Sequence, residues 1–190
     1  MKFLIHKQIE TNNLNNEKRI YPFCTLISLL LIINVSYAQY VHHLTNATTQ
    51  AKQKVDAILK KDYATILKFT HPNELKKRGG EIRMIATLKK ADEEQIIRKI
   101  KVESIELDKI SSMVNEGREM QCIIPCTIQT KMQVGKLLAT SYLIGISTDG
   151  GVNFTFLDAI GRNADEIREI LPTLSKKIIV PLPKEPKFIY

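Results

Sequence analysis

Apolar residues recur along this chain with two different periods, and the change of period organises it. From about Thr49, the residues Ala51, Val55, Ile58, Leu59, Ile66 and Leu67 fall at helical spacing with Lys and Asp between them. Asp62-Tyr63 breaks this stretch into two helices. Pro72 stops the second, because the residue before a proline avoids helical angles. After Gly79-Gly80 a further helix carries Ile82, Ile85 and Leu88 on one stripe and ends between Glu94 and Ile97. The period then shortens to two. Ile100, Val102, Ile105 and Leu107 predict a strand, and Met120, Cys122, Ile124, Cys126 and Ile128 alternate with Gln121, Thr127 and Gln129 as a half-buried one. Val134-Gly135-Lys136 predicts a turn into Leu137 to Ser147, whose nearly continuous apolar run is that of a central strand. Asp149-Gly150-Gly151 predicts a tight hairpin turn, since Asp and Gly tolerate the positive φ it needs, and Val152 to Leu157 return as the last strand. A short helix follows at about Asn163 to Leu171.

Helices first and a strand meander afterwards is the order of an α+β fold, with N-terminal helices packed on one face of a curved antiparallel sheet of about four strands. The single domain is expected over 49–171. Residues 39–48 precede it as a flexible start. The stretch 172–190 holds four of the seven prolines and is expected to run extended over the surface.

The N-terminal residues change the picture of where the chain works. Lys18-Arg19 is followed by the uncharged run Ile20 to Val35, and Ser36-Tyr37-Ala38 places small residues before Gln39. Cations, an apolar run and an A-x-A-like junction are the order of a secretory signal, so residues 1–38 are expected to leave and the product to reach the periplasm or exterior. The alternative is an anchor through 20–35, although the run is shorter than the roughly 20 residues of a spanning helix. Residues 1–17, polar and rich in Asn, are expected either to lack order or to precede the true start. Removal of 1–38 lowers the net charge from +8 to +6. The basic clusters Lys60-Lys61, Lys76-Lys77-Arg78, Lys89-Lys90 and Arg98-Lys99 fall on predicted helices near acids. With no aromatic platform among them, they read as solvated helix faces rather than a nucleic-acid site. Membrane contact is expected only through an uncleaved leader.

Cys122 and Cys126 lie four apart on one strand, about 13 Å at about 3.3 Å per residue. A disulfide needs Cα atoms within about 7 Å, so the pair is expected to remain as free, buried thiols. His42, His43 and His71 lack the spacing to complete a metal site with them. No cofactor motif is present.

The stretch Ala57 to Pro72, AILKKDYATILKFTHP, resembles the opening of nuclear transport factor 2-like domains, where a helix ends at an acidic residue and a second restarts at once. The resemblance extends over most of 49–160 and is closest to exported proteins of that type from Bacteroidetes-like bacteria. It implies a cone with an internal pocket, used in some members as an isomerase or hydrolase site and in others for binding or dimerisation. This chain departs from the enzymes in having no evident Asp/His pair aimed into such a pocket. Ser147 to Phe154, STDGGVNF, also resembles the Asp-box hairpin S-x-D-x-G-x-T-W. Ser147, Asp149 and Gly151 match, while Asn153 and Phe154 replace Thr and Trp. That likeness implies an architectural turn in which Asp149 accepts turn amides and Phe154 plugs the core.

Candidate pocket groups are Asp62, His71 and Asp158 as general bases, and Tyr63 and Tyr142 as ligand contacts. Each also has a structural role open to it, Asp62 as a helix cap and the tyrosines as core aromatics. The expected function is a non-enzymatic envelope domain that binds a small apolar ligand or an envelope protein. The alternatives are a cone-fold isomerase or hydrolase, and a structural homodimer joined through an open sheet face.

Overall fold

The computed structural model describes residues 41–182 and 184–190. Contacts divide the chain into Met1–His42, of which only Val41 and His42 are described, and a compact unit His43–Tyr190. The proposed leader, its cleavage junction and the anchor alternative at 20–35 lie outside the described residues.

The first described helix, α1, covers residues 41–60, so residues 41–48 are helical rather than a flexible start. Packing explains the extension. Ala47, Ala51 and Val55 recur at spacing four and are almost fully buried, so the first turns have an apolar surface to hold them. Lys61 turns the chain at φ 59°, and Asp62 restarts it as N-cap of α2 (Tyr63–Lys68). The next segment joins the sheet: Thr70 bridges Phe156 in parallel, with Phe156 N–H bonded to Phe69 O at 2.7 Å and His71 N–H to Phe156 O at 3.0 Å. Pro72 ends nothing further; it opens α3 (Pro72–Lys77), where a residue without an N–H leaves no bond unmade. After Gly79 and Gly80 comes α4 (Glu81–Ile97), which has no buried residue, and Ile82 of its expected apolar stripe faces solvent.

The sheet is curled and antiparallel. Its strands are β1 (Lys101–Leu107), β2 (Ser112–Glu116), β3 (Glu119–Lys131), β4 (Lys136–Ser147), β5 (Thr155–Asp158) and β6 (Lys187–Ile189). A four-strand path β1-β3-β4-β5 forms its body; β2 adds to β3 and β6 to β4. The long β3 and β4 pair from Met120–Ser147 to Lys131–Lys136 and serve as the common floor.

Both faces of that floor are covered: the first helix takes one face, as the α+β order predicts, and the short C-terminal helix takes the other. Cys122, Ile124, Leu143 and Phe156 point toward Ala47, Ala51, Val55, Phe69 and Phe154. One residue out of step, Ile123, Ile144, Ile146 and Leu157 point the other way, onto Ile167, Ile170 and Leu171 of the α5 region (α5, Ala164–Ile170) and onto Leu174 and Ile178. Residues 174–178 of the expected surface stretch therefore help complete the core, while the described residues after 178 stay at the surface. Buried Gln121 anchors the stretch, donating to Thr173 O and accepting from Ser175 N–H, each at 2.9 Å. Burial on two sides is why β4 reads as a continuous apolar run. Each fully buried Phe, Ile or Leu here contributes roughly 1.5–3 kcal/mol.

Candidate functional site

The loop at 148–154 joins β4 to β5 and is longer than the tight hairpin turn expected. Ser147 Oγ donates to Asp149 Oδ1 at 2.8 Å and accepts Gly151 N–H at 2.9 Å. Asp149 in turn accepts the N–H and the side-chain amide of Asn153, at 2.9 and 2.7 Å. These bonds, led by that from the Asn153 backbone, hold the Asp149 carboxyl down to about 2. Asn46 and Gln50 of α1 bond the carbonyls of Gly151 and Val152, and Gln50 also accepts Phe154 N–H at 2.8 Å. Phe154 is buried beside Phe156, ring centroids 6.5 Å apart. The bonds of Ser147, Asp149, Gly151, Val152, Asn153 and Phe154 all run within the loop or to α1, which is the geometry of architecture.

Of the three candidate bases, two are brought into one corner and the third is not. Asp62 stands apart, its Oδ1 accepting Thr65 N–H at 3.2 Å; bonds to Thr65 lower its pKa. His71 and Asp158 meet through Phe156. The Phe156 carbonyl accepts His71 N–H and also Lys54 Nζ, at 3.0 and 3.3 Å, and Lys54 Nζ reaches Asp158 Oδ2 at 3.1 Å. Arg162 continues the network. It donates to Asp158 O at 3.1 Å and grips both oxygens of Glu74 at 2.8 and 3.0 Å, while Arg78 takes Glu74 Oε1 at 2.9 Å. Burial raises the Glu74 pKa, but the bonds from Arg162 and then Arg78 outweigh it and the net shift is downward. His71 Nδ1 accepts Asn73 N–H at 3.2 Å as the cap of α3, and burial lowers its pKa, so the neutral ring is the form that caps.

Sequence reasoning passed over Lys54, Glu74 and Arg162. A signal existed for Lys54, which sits three positions after Ala51 and therefore on the buried face of α1; its side chain is only 1 % exposed. Glu74 and Arg78 stand four apart at the edge of a basic run that read as solvent-facing.

The two tyrosines lie on different parts of the molecule. Tyr142 belongs to the core beneath α5. Tyr63 donates to Asp92 Oδ2 at 2.6 Å, a bond that raises its pKa, and Lys61 lies 3.5 Å from Asp92 Oδ1. These contacts tie α4 to the break between α1 and α2. Beside them opens a cleft of about 270 Å³, floored by Ile58, Leu59, Ile96, Ile100 and Val102 and edged by Lys61, Asp92 and Gln95. The space between α1 and the sheet, where a cone pocket was expected, is filled by Phe69, Phe154, Phe156 and their neighbours.

Among the described residues no three His, Cys, Asp or Glu are grouped to hold a metal ion, and no helix is long and apolar enough to cross a membrane. Cys122 and Cys126 are free and buried, and desolvation pushes their thiols up to about 12 and about 11. No match to this chain is found among protein-family models, curated proteins or solved structures.

Proposed function

We propose that the chain is an exported, non-enzymatic domain of the cell envelope that works by binding a small apolar ligand or a partner protein. The observation that carries this reading is the commitment of every candidate base. Asp62 caps α2, His71 caps α3 through its acceptor nitrogen, and Asp158 is held by buried Lys54. A general base needs a free lone pair within reach of substrate; His71 gives its acceptor nitrogen to Asn73, and each carboxylate gives one of its two oxygens to these bonds. The likeness to nuclear transport factor 2-like domains belongs to the same proposal. It is supported by the helix break at Asp62 and by helices preceding the meander; the filled interior counts against a pocket enzyme and against a ligand inside the cone alike, which directs the ligand to the outside.

The apolar cleft between α1, α4 and β1 is the place for a small ligand. An anilinonaphthalene dye is expected to bind the full chain there and to bind several-fold more weakly after Leu59→Glu, an exposed position. Nitrophenyl ester hydrolysis is expected to be indistinguishable among wild type, His71→Ala and Asp158→Asn. Turnover lost in folded forms of both variants would replace binding with hydrolysis. Intact mass of the exported product is expected to begin at Gln39, whereas retention of residues 20–35 would make it an anchored protein.

A further inference from the structure

The end of the sheet at the β3–β4 turn gathers groups that nothing in the interior uses. Register sets Lys101 of β1 opposite Lys131 of β3, and Lys131 opposite Lys136 of β4, so three cations form one row across three strands. Like charges directly opposite destabilise a sheet. Glu103 stands against two of the three: it is ion-paired to Lys136 at 2.9 Å, and bonds from Lys136 and Gln129, helped by the charges of Lys136 and Lys131, hold its pKa down. Gln133 Nε2 donates to Arg98 O at 3.2 Å, which brings the end of α4 and its Arg98-Lys99 pair against the turn. β6 pairs Lys187–Ile189 with Leu138–Lys136, and the Phe188 ring closes on Gly135, where an added Cβ would lie 2.8 Å from Phe188 Cε1.

The same end carries exposed apolar side chains. Ile96, Ile97, Val134, Phe188, Ile189 and Tyr190 are each at least 43 % exposed. Scattered single apolar residues on a surface need no account, but six at one end interleaved with six cations do. Aliphatic and aromatic tips that enter the acyl boundary, with lysine and arginine at headgroup level, are the composition of a surface that lies on an anionic bilayer. The tips are carried on a helix end, a turn and a short edge strand. A fluid interface accommodates such an arrangement, whereas a fixed protein partner must match its shape.

We propose that this end is a docking surface for an anionic lipid bilayer. Ile97, Val134 and Ile189, which register sets beside Lys136, enter the acyl boundary, and the row Lys101–Lys131–Lys136 lies on the headgroups. The proposal deepens the binding reading by naming the partner, and it stands on that reading only in assigning the chain a role by contact. The chain contains no tryptophan, so a single introduced one reports its own surroundings. In the full chain, Ile97→Trp is expected to shift its emission to the blue on vesicles containing phosphatidylglycerol and to be quenched by brominated acyl chains. Val152→Trp, exposed on the loop after β4, is expected to do neither, which separates docking here from any attachment through residues 20–35. Lys101→Gln with Lys131→Gln in the Ile97→Trp chain is expected to weaken vesicle affinity at least tenfold, and added salt to weaken the parent likewise. An equal response from both reporters, an unchanged response on neutral phosphatidylcholine, or capture by soluble polyglutamate with none by vesicles would overturn the proposal. Failure at the vesicles leaves the non-enzymatic reading standing, since that one falls on turnover alone.

Discussion

The two ends of β4 make opposite use of the same residue types. At Ser147 the strand runs into a loop where Asp149 is saturated with hydrogen bonds, two α1 amides hold the loop carbonyls and the loop's Phe is buried. At Lys136 it begins from a turn whose Val is exposed, whose lysines face one another and whose neighbouring Phe lies half in solvent. Satisfied polar groups around a buried aromatic are what a fold needs for itself. A surplus of one charge beside uncovered apolar tips costs the isolated molecule stability, a cost that the proposed bilayer docking would offset.

Substitutions at the two ends sharpen or break this contrast. The largest effect is expected at Gly151→Val. Its φ of 82° disfavours a branched residue, and a Cβ there would meet the His43 ring and lie 3.0 Å from Met120 Sδ. A loss of about 3 kcal/mol, or a Tm lower by roughly 10 °C, is expected in thermal unfolding. Asp149→Ala comes next, at about 1–2 kcal/mol for the lost bonds. The Asp149 pKa is depressed from 3.8 to about 2, so its stabilisation is complete above about pH 4 and lost as pH falls through 2. The Tm gap between wild type and Asp149→Ala should be constant near neutrality and narrow over that window. Gly135→Ala at the other end, φ 71°, is expected to cost about 1 kcal/mol and to free the β6 amides for faster hydrogen exchange. Lys131→Gln should do the reverse of all these and raise Tm by about 1 °C, because it relieves repulsion from both Lys101 and Lys136 and gives up only the weaker attraction to Glu103. A lysine row that proved stabilising in this test would erase the distinction between the ends.

Much of the fold was legible because it is written locally. The break at Asp62, the alternation through Cys122 to Ile128 and the acids opening the helix after Asn163 each sit inside one turn or one strand. The capping box at Asn163 and Glu166 shows how complete a local signal can be. What escaped depends on pairing between distant segments. β2 is five residues with little alternation, and β6 is three residues after a proline-rich stretch. The helical start at 41–48 and the buried residues within 174–178 are held by surfaces supplied elsewhere in the chain. The site followed the same rule. Asp158 and His71 were visible singly, but Lys54 and Arg162, which neutralise and connect that corner, fall opposite them only through the fold. Lys101, Lys131 and Lys136 are far apart in sequence and become a row only by strand register.

The clamp of Gln121 on residues 173–175 has a consequence for the order of events in synthesis. Ile123, Ile144 and Ile146 have no cover until Ile167, Leu171, Leu174 and Ile178 arrive, and those are made after the whole sheet body. A nascent chain that has reached only β5 therefore presents a long hairpin with one oily side bare, a species prone to aggregate and slow to settle. Its closure is deferred to the moment the last stretch is free to fold back. Until then the open hairpin is the state on which any helper of folding must act.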